Sequence, residues 1–482
     1  MQLTTTDYLS ILPTLILAVW AMALLLIELV LKRKALVGWL ALIGFLVAGG
    51  AALLLWNQRG TGFSGMVALD PYAQFFALVA CLTGALSVLQ SLNYIRDRGI
   101  ERGEYFALLM FSVSGITLMA SANNLIIVFI ALEILSIPLY VLAGFAAPEV
   151  KSEEAAMKYF LLGAFASAFL LFGIALVYGA TGTTDLSVLA AHLTRSPLLL
   201  IGSGLLLVGL GFKVAAVPFH MWTPDVYEGS PTPVTGFMSV GAKVAGFAAL
   251  VRVFVFAFST LQADWVTIVA VIAALTMILG NVVAIMQNDL KRMLGYSSIA
   301  HAGYILMGVA AAGDAGAREL GVAGAMFYLL AYAFTNLGAF AVLAMIANKT
   351  GEDQSFNSYR GLARQHPVVA LAMAFFMLSL TGIPLTGGFI GKYYLFWSAI
   401  QANLVWLAVV GVLTSLISAF YYLRVVIEMF MREPQKDVEA VRYGSLTFTL
   451  GLTTVATFVL GVLPSGLLAL AQEAARLLFG LA

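Results

Sequence analysis

Apolar residues run along this chain in blocks long enough to cross a bilayer, and polar residues gather in the short gaps between them. A hydrocarbon core takes about 20 residues of helix. Blocks of that order fall at about 9–31, 35–56, 70–92, 105–122, 125–146, 155–180, 198–222, 234–258, 264–286, 291–312, 321–347, 367–400, 404–430 and 445–472. The pattern predicts an all-α polytopic membrane protein with about 14 transmembrane helices. A transmembrane β-barrel needs short alternating segments, and these blocks are continuous. The longest polar connection, about 348–365, leaves no extramembrane domain.

Two blocks are interrupted by proline. Pro218 follows Lys213 by five residues and removes the backbone donor to the Val214 carbonyl, so a break or kink is expected beside the charge. Pro384 interrupts 367–400, and Gly387 and Gly388 behind it are expected to loosen the backbone further. Three short matches recur in order. Asn124-Leu125 resembles Asp289-Leu290 at an offset of 165, and Tyr159-Phe160-Leu161-Leu162 resembles Phe327-Tyr328-Leu329-Leu330 at 168. Val217-Pro218-Phe219 resembles Ile383-Pro384-Leu385 at 166. They divide the chain into helices 1–3 (1–104), a first unit of helices 4–8 (105–260), a second of helices 9–13 (261–431) and a last helix (432–482). Five is odd, so the second unit enters the membrane in the opposite sense. The expectation is two inverted five-helix repeats, each with a broken helix.

Loop cations set the orientation. One side carries Lys32, Arg33, Lys34, Arg96, Arg98, Arg102, Lys151, Lys291, Arg292, Lys349, Arg360, Arg364, Arg432, Lys436 and Arg442. The other carries Arg59, Arg195, Arg318 and Arg476. Fifteen against four places both termini outside. Asp7 stands where a signal peptide needs bases and 9–31 is too long for its apolar core, so the first helix is expected to be retained.

Composition narrows the chemistry. The 482 residues are 62% hydrophobic and 10% charged, too little charge to cover a soluble domain, and the net charge of +1 gives no nucleic-acid surface. A single Cys81 excludes an internal disulfide and a cysteine cluster for zinc or iron–sulfur. Four scattered histidines (192, 220, 301 and 366) give no support to a haem or metal site. Phosphate-loop and nucleophile-elbow patterns are absent. If such a chain serves an enzyme, it is expected to supply a conduit and not a redox or hydrolytic site.

The ionisable residues inside the blocks are therefore the candidate site. Glu133 lies mid-block, and a lysine on a neighbouring helix would keep it charged; Lys213, beside the first break, is the expected partner. A switchable charge pair and a packing salt bridge are the two readings. Lys243 lies too deep to snorkel, and Lys392 follows Pro384 by eight residues. Lysine can release its proton when desolvated whereas arginine effectively cannot, so Lys213, Lys243 and Lys392 form a row suited to proton relay. His301 reads either as a bridge between Lys243 and Lys392 through water or as a core histidine. Lys158, with Glu153 and Glu154 a turn before it, is an interfacial anchor or part of an access route. His220 reads as an interfacial or gating residue, and Glu28 as an interfacial or subunit-contact residue. Arg252, and Arg424 with Glu428 four residues on, read as structural.

The run Phe212-Lys213-Val214-Ala215-Ala216-Val217-Pro218-Phe219-His220, with Trp222, Pro224, Asp225 and Pro231-Thr232-Pro233, resembles the antiporter-like membrane subunits of respiratory NADH:quinone oxidoreductase (complex I) and related antiporters. Pro224-Asp225-Val226-Tyr227-Glu228-Gly229-Ser230-Pro231-Thr232-Pro233-Val234, Lys151-Ser152-Glu153-Glu154-Ala155-Ala156-Met157-Lys158-Tyr159-Phe160, and Thr381-Gly382-Ile383-Pro384 with Lys392 are similar to the subunit-N branch of that family. The resemblance covers essentially the full length. It implies a Glu133–Lys213 charge pair, a central bridging Lys243, an outlet-side Lys392, and places for His301 and Lys158 on the polar axis. It implies proton translocation coupled to quinone reduction elsewhere in the complex, or else, as the alternative, a multi-subunit sodium/proton antiporter without redox coupling. It further implies no cofactor in this chain, with FMN, iron–sulfur clusters and quinone in partner subunits. The implied neighbours are the antiporter-like subunit M, the small subunits K, J and A, and the lateral helix of subunit L, within a bacterial inner membrane.

Overall fold

The structure, a computed structural model, describes residues 4–31, 33–346, 353–434, 440–441 and 443–480. Of the loop cations above, Lys32, Lys349, Lys436 and Arg442 lie outside the described residues. Helices α1 (Thr5–Ser10), α2 (Leu12–Val30) and α3 (Lys34–Leu54) lead to a hairpin of β1 (Gly60–Gly62) and β2 (Val67–Leu69). Next come α4 (Pro71–Asp97), α5 (Glu104–Ser121), α6 (Leu125–Ala143), α7 (Val150–Thr181) and the short α8 (Leu186–His192). The first broken helix is α9 (Pro197–Lys213) with α10 (Trp222–Gly229). Then follow α11 (Thr232–Leu250), continued by a π-helical stretch Val251–Ala257, α12 (Gln262–Ile285), α13 (Leu290–Ala311), α14 (Arg318–Ile346) and the one-turn α15 (Leu362–Gln365). The second broken helix is α16 (Pro367–Thr381) with α17 (Gly387–Gln401), followed by α18 (Val405–Met431), α19 (Gly444–Val462) and α20 (Ser465–Leu478).

The fold is helical and polytopic. Among the described residues, eleven helices are long and apolar enough to cross a membrane, and α9 and α16 are apolar but shorter. Burial separates an inner group from an outer one. The apolar windows of α11 and α14 are 94% buried and that of α4 is 89%, whereas α2 and α7 bury 28% and 33%. Helices hydrophobic all round belong in such an interior. The outer helices turn large apolar side chains outward, including Phe165 and Phe172 of α7 and Leu416 and Phe420 of α18.

Several expectations are corrected. The first break begins at Val214, not at Pro218. Ala215 adopts a left-handed φ of 61°, and Ala216 donates 2.9 Å to the Gly211 carbonyl, a cap that ends α9 directly after Lys213. The second break is closed alike: Gly382 has φ 93°, and Ile383 donates 3.0 Å to Leu378. Gly387 and Gly388 lie within α17, so they do not loosen the break. Gly388 instead lets the two half-helices touch, because a Cβ there would overlap the Ser379 carbonyl oxygen. The block 445–472 is not one helix; Pro464 separates α19 from α20. Arg424 does not pair with Glu428. It donates to the Gln287 carbonyl, and Glu428 accepts from Arg360. Glu28, in the last turn of α2, pairs with the partly exposed Lys34, a placement that leaves its expected interfacial position standing. The hairpin had no forecast: its strands are three residues each, and its turn runs through left-handed Phe63, Ser64 and Gly65, with the Asp7 carboxylate accepting from Phe63 N–H.

The two ends of the bundle differ. At one end Arg98 pairs with Glu149, Lys151 with Glu228, Arg360 with Glu428, and Tyr443 donates to Asp97. The opposite end holds the hairpin, the Arg195–Asp264 pair and Arg318 over the Phe479 ring. A matching backbone tie closes a helical hairpin at each end. Leu125 donates to Thr184 and Leu186 to Asn123, both at 2.9 Å, where α6 starts beside the β-hairpin. Leu290 donates to Gln354 at 2.7 Å and Phe356 to Asn288 at 3.1 Å, where α13 starts at the ion-paired end.

Candidate functional site

A line of polar side chains runs through the buried helices. Lys213, Lys243 and Lys392 are 2%, 1% and 3% exposed, and His301 is 1% exposed. Lys213 is the last residue of α9, delivered to the interior by the left-handed cap that follows it. Its Nζ donates to Ser136 Oγ at 2.8 Å and Tyr159 Oη at 3.2 Å. Tyr159 is in turn stacked on Trp222 at 4.5 Å, and the Trp222 indole donates to the Phe212 carbonyl, fastening both sides of the break.

Glu133 is half-buried on α6 and accepts from Ser167 Oγ at 2.5 Å. The structure does not bring Glu133 and Lys213 into ion-pair contact. Ser136, one turn along α6 from Glu133, accepts from Lys213 and donates to the Leu132 carbonyl. In place of the expected direct pair, Lys213 is held by the Ser136 and Tyr159 hydroxyls.

Lys243, on α11, donates to Ser298 Oγ, and its ammonium faces the Tyr227 ring at 6.0 Å. Ser298 lies on α13, one turn from His301. His301 Nδ1 is bonded to the Tyr328 hydroxyl and Nε2 to the Tyr422 hydroxyl at 2.9 Å. The imidazole thus touches neither lysine; tyrosine hydroxyls occupy both of its nitrogens. Tyr422 is also bonded to Ser297, which ties α18 to α13 at the residue next to Lys243's acceptor.

Lys392, on α17, reaches back across the second break. It donates to the carbonyls of Leu380 at 2.9 Å and Thr381 at 3.0 Å, and to Ser415 Oγ at 2.9 Å, with the Tyr304 ring 4.7 Å away. All three N–H bonds of an ammonium are used, two of them on the carbonyl end of α16, where the helix dipole favours positive charge.

Two other candidates lie off this line. Lys158 is half-exposed on α7 and pairs with Glu154 and Asp225, each at 2.6 Å. It belongs to a cluster at the ion-paired end in which Arg292 also bonds Asp225 at 2.7 Å and Glu228 at 2.8 Å. His220 sits half-buried between α9 and α10, its carbonyl accepting from Thr223 N–H, and contacts none of the lysines. The residues that sequence reasoning missed are the hydroxyls: Ser136, Tyr159, Ser298, Tyr328, Tyr422 and Ser415. The available signal was helical spacing, since Ser136 and Ser298 each lie three residues from a flagged residue.

Partial burial raises the Asp225 and Glu228 carboxyls, but hydrogen bonds outweigh it and hold both below the usual range, from Lys158 and Arg292 on Asp225 and from Lys151 and Arg292 on Glu228. A depressed folded value contributes stability above the unfolded pKa and loses it as pH falls through the folded one. Asp225→Asn should therefore weaken the seam between α7, α10 and α13 at neutral pH and flatten the loss of stability on acidification. The pairs are partly exposed, so each is worth about 1 kcal/mol or less. Thermal unfolding in detergent across an acid series would show it, and parallel wild-type and variant curves would refute it.

A family model described as NADH:quinone oxidoreductase/Mrp antiporter, TM matches residues 122–418. The chain is 46% identical over 478 residues to NADH-quinone oxidoreductase subunit N of Chloroflexus aggregans, covering 97% of each. It is 45% identical over 476 residues to the subunit N of Trichlorobacter lovleyi, again covering 97% of each. Among solved structures, a chain of respiratory complex I from Thermus thermophilus superposes with TM-score 0.83 at 38% identity, covering 95% of this chain and 99% of that one. A chain of the Mrp complex from Dietzia sp. DQ12-45-1b superposes with TM-score 0.87 at 23% identity, covering 98% of each, a likeness of fold alone.

Proposed function

The chain belongs to the NADH:quinone oxidoreductase/Mrp antiporter family of membrane subunits, and on that footing we propose that it is the subunit-N-type proton-translocating component of a respiratory NADH:quinone oxidoreductase. The observation that carries this reading is the company of the buried lysines. Among the described residues, none of Lys213, Lys243 and Lys392 is in ion-pair contact with a carboxylate; Lys213 and Lys243 are held by hydroxyls. A carboxylate would fix the ammonium, whereas a hydroxyl donates as readily as it accepts and stays bonded after the lysine gives up its proton.

A proton then moves by exchange of hydrogen bonds. Loss of quinone-coupled charge balance near Glu133 shifts Lys213 through Ser136. Lys213 and Lys243 trade protons along hydroxyls of the interior. His301 passes them on, receiving at one ring nitrogen and releasing at the other. Lys392, whose three acceptors suit an ammonium, stores the proton before its release on the outlet side. Electron transfer, with its flavin, iron–sulfur clusters and quinone, resides in partner subunits. Those partners are subunits M, K, J and A and the lateral helix of subunit L.

The membrane reading follows the same lines. Fourteen spans in a bacterial inner membrane, both termini outside, arise from the eleven long helices, the two broken ones, and α13, which is 22 residues long and carries His301 and its serines in the interior. Two inverted units, helices 4–8 and 9–13, are supported by the paired backbone ties at opposite ends and the paired left-handed caps. The antiporter alternative shares the fold, and relatives at 46% identity weigh against it.

Lys213→Ala is expected to lower proton pumping and coupled quinone reduction together in the assembled complex. Wild-type rates of pumping and of coupled quinone reduction in that variant would remove Lys213 from the path.

A further inference from the structure

A fourth buried lysine lies outside the route just described. Lys291 is the second residue of α13 and is 1% exposed, although the sequence places it at the edge of a loop. Its Nζ donates to the carbonyl of Ser230, at the joint between α10 and α11. On the other side of that joint a surface cleft of about 140 Å³ is lined by Lys151, Glu154, Asp225, Glu228, Gly229 and Arg292. Gly229 and Ser230 are neighbours in the chain, so the wall of the cleft is continuous with the acceptor of the buried lysine.

The polar groups continue inward from Lys291. Thr235 Oγ1 lies 3.4 Å from the same Ser230 carbonyl and donates to the Tyr227 carbonyl at 3.0 Å. The Tyr227 hydroxyl is 3.4 Å from Ser298 Oγ, the acceptor of Lys243. Lys291 and Ser298 are seven residues apart on α13, hence on one face and about 10 Å along the axis. A cation, hydroxyls and a charged cleft thus lie in order between the ion-paired end and Lys243.

We propose that Lys291 is the inlet of the proton path, taking protons from the Asp225–Glu228 cleft and passing them through the Tyr227 and Ser298 hydroxyls to Lys243. Each hydroxyl gives up one proton and receives another, so the amine of Lys291 is restored and the ammonium of Lys243 formed with no net change along the way. The groups that bias Lys291 are Asp289 at the cap of α13, Glu228 of α10, Arg98 beyond α4 and Glu149 ahead of α7. The inference rests on the reading of Lys243 as a proton carrier.

The competing account is a structural tie: Lys291 merely fastens α13 to the α10–α11 joint. Lys291→Arg separates the two, since arginine keeps the charge and a donor for Ser230 but does not release its proton. The assembled complex in inverted vesicles, with the ion-paired end facing the medium, is the system to use. Lys291→Arg should lower pumping by roughly tenfold or more, in the range of a lost proton-transfer group. Lys291→Ala should recover part of its pumping on addition of methylamine. Pumping at the wild-type rate in Lys291→Arg overturns the inference. If either variant fails to assemble, Glu228→Gln at the cleft must shift the dependence of pumping on external pH, and an unchanged profile overturns it equally. Lys243→Ala is measured alongside. Normal pumping there defeats the underlying reading, whereas loss there with normal Lys291→Arg defeats only the inlet.

Discussion

Lys243→Arg in the assembled complex is expected to abolish proton pumping, by roughly a hundredfold or more, while leaving the subunit in place. The substitution retains a positive charge at a site that is 1% exposed and a donor for Ser298. It removes one property alone, the ability to give the proton up. Lys243→Met, of similar length and neutral, should fail as well, because it too has no proton to exchange. The measurements are proton uptake per NADH oxidised in inverted vesicles and the amount of intact complex on a native gel. If the arginine variant pumps at the wild-type ratio, Lys243 acts as a fixed charge and the relay passes elsewhere.

The second large effect is steric. Gly388→Ala places a methyl group on the Ser379 carbonyl oxygen, where the ends of α16 and α17 meet. The contact is backbone on one side and helix on the other, so neither can rotate away. Overpacking of this kind costs about 1–3 kcal/mol. The halves can part only by carrying the Leu380 and Thr381 carbonyls away from Lys392. Gly388→Ala should therefore lower both the thermal stability of the complex and its pumping, whereas Gly444→Ala, with open space at the new Cβ, should change neither. Equal melting temperatures for Gly388→Ala and wild type would contradict the close approach.

What the sequence disclosed, and what it hid, follows from cost. A lysine within an apolar block is expensive and therefore conspicuous, which is why Lys213, Lys243 and Lys392 stood out before any coordinates. Serine and threonine are cheap in a membrane helix because they bond to the preceding turn, as Ser136 does to Leu132, and tyrosine because most of its surface is apolar ring. Ser298 and Tyr422 are therefore inconspicuous, although one accepts from Lys243 and the other bonds His301. Pro218 advertised a break, but a cap at Ala215 set its position, and nothing in an alanine signals a left-handed φ of 61°. Pro464 was visible too, yet the apolar run through it reads as one helix. Lys291 looked like a loop cation because loop edges and helix starts share composition; only the packing of α10 and α11 over it shows that it is interior.

The paired backbone ties bear on how the chain is made. Each joins the start of one helix to the segment just beyond its partner, so α6 with α7, and α13 with α14, are latched as soon as both members have left the ribosome. The residues of the first latch precede α9 in the chain, and those of the second precede α16. Each broken helix therefore follows a helical hairpin that can close without it. A half-helix too short to be stable alone thus has a docking wall built from residues that precede it, α7 for α9 and α14 for α16.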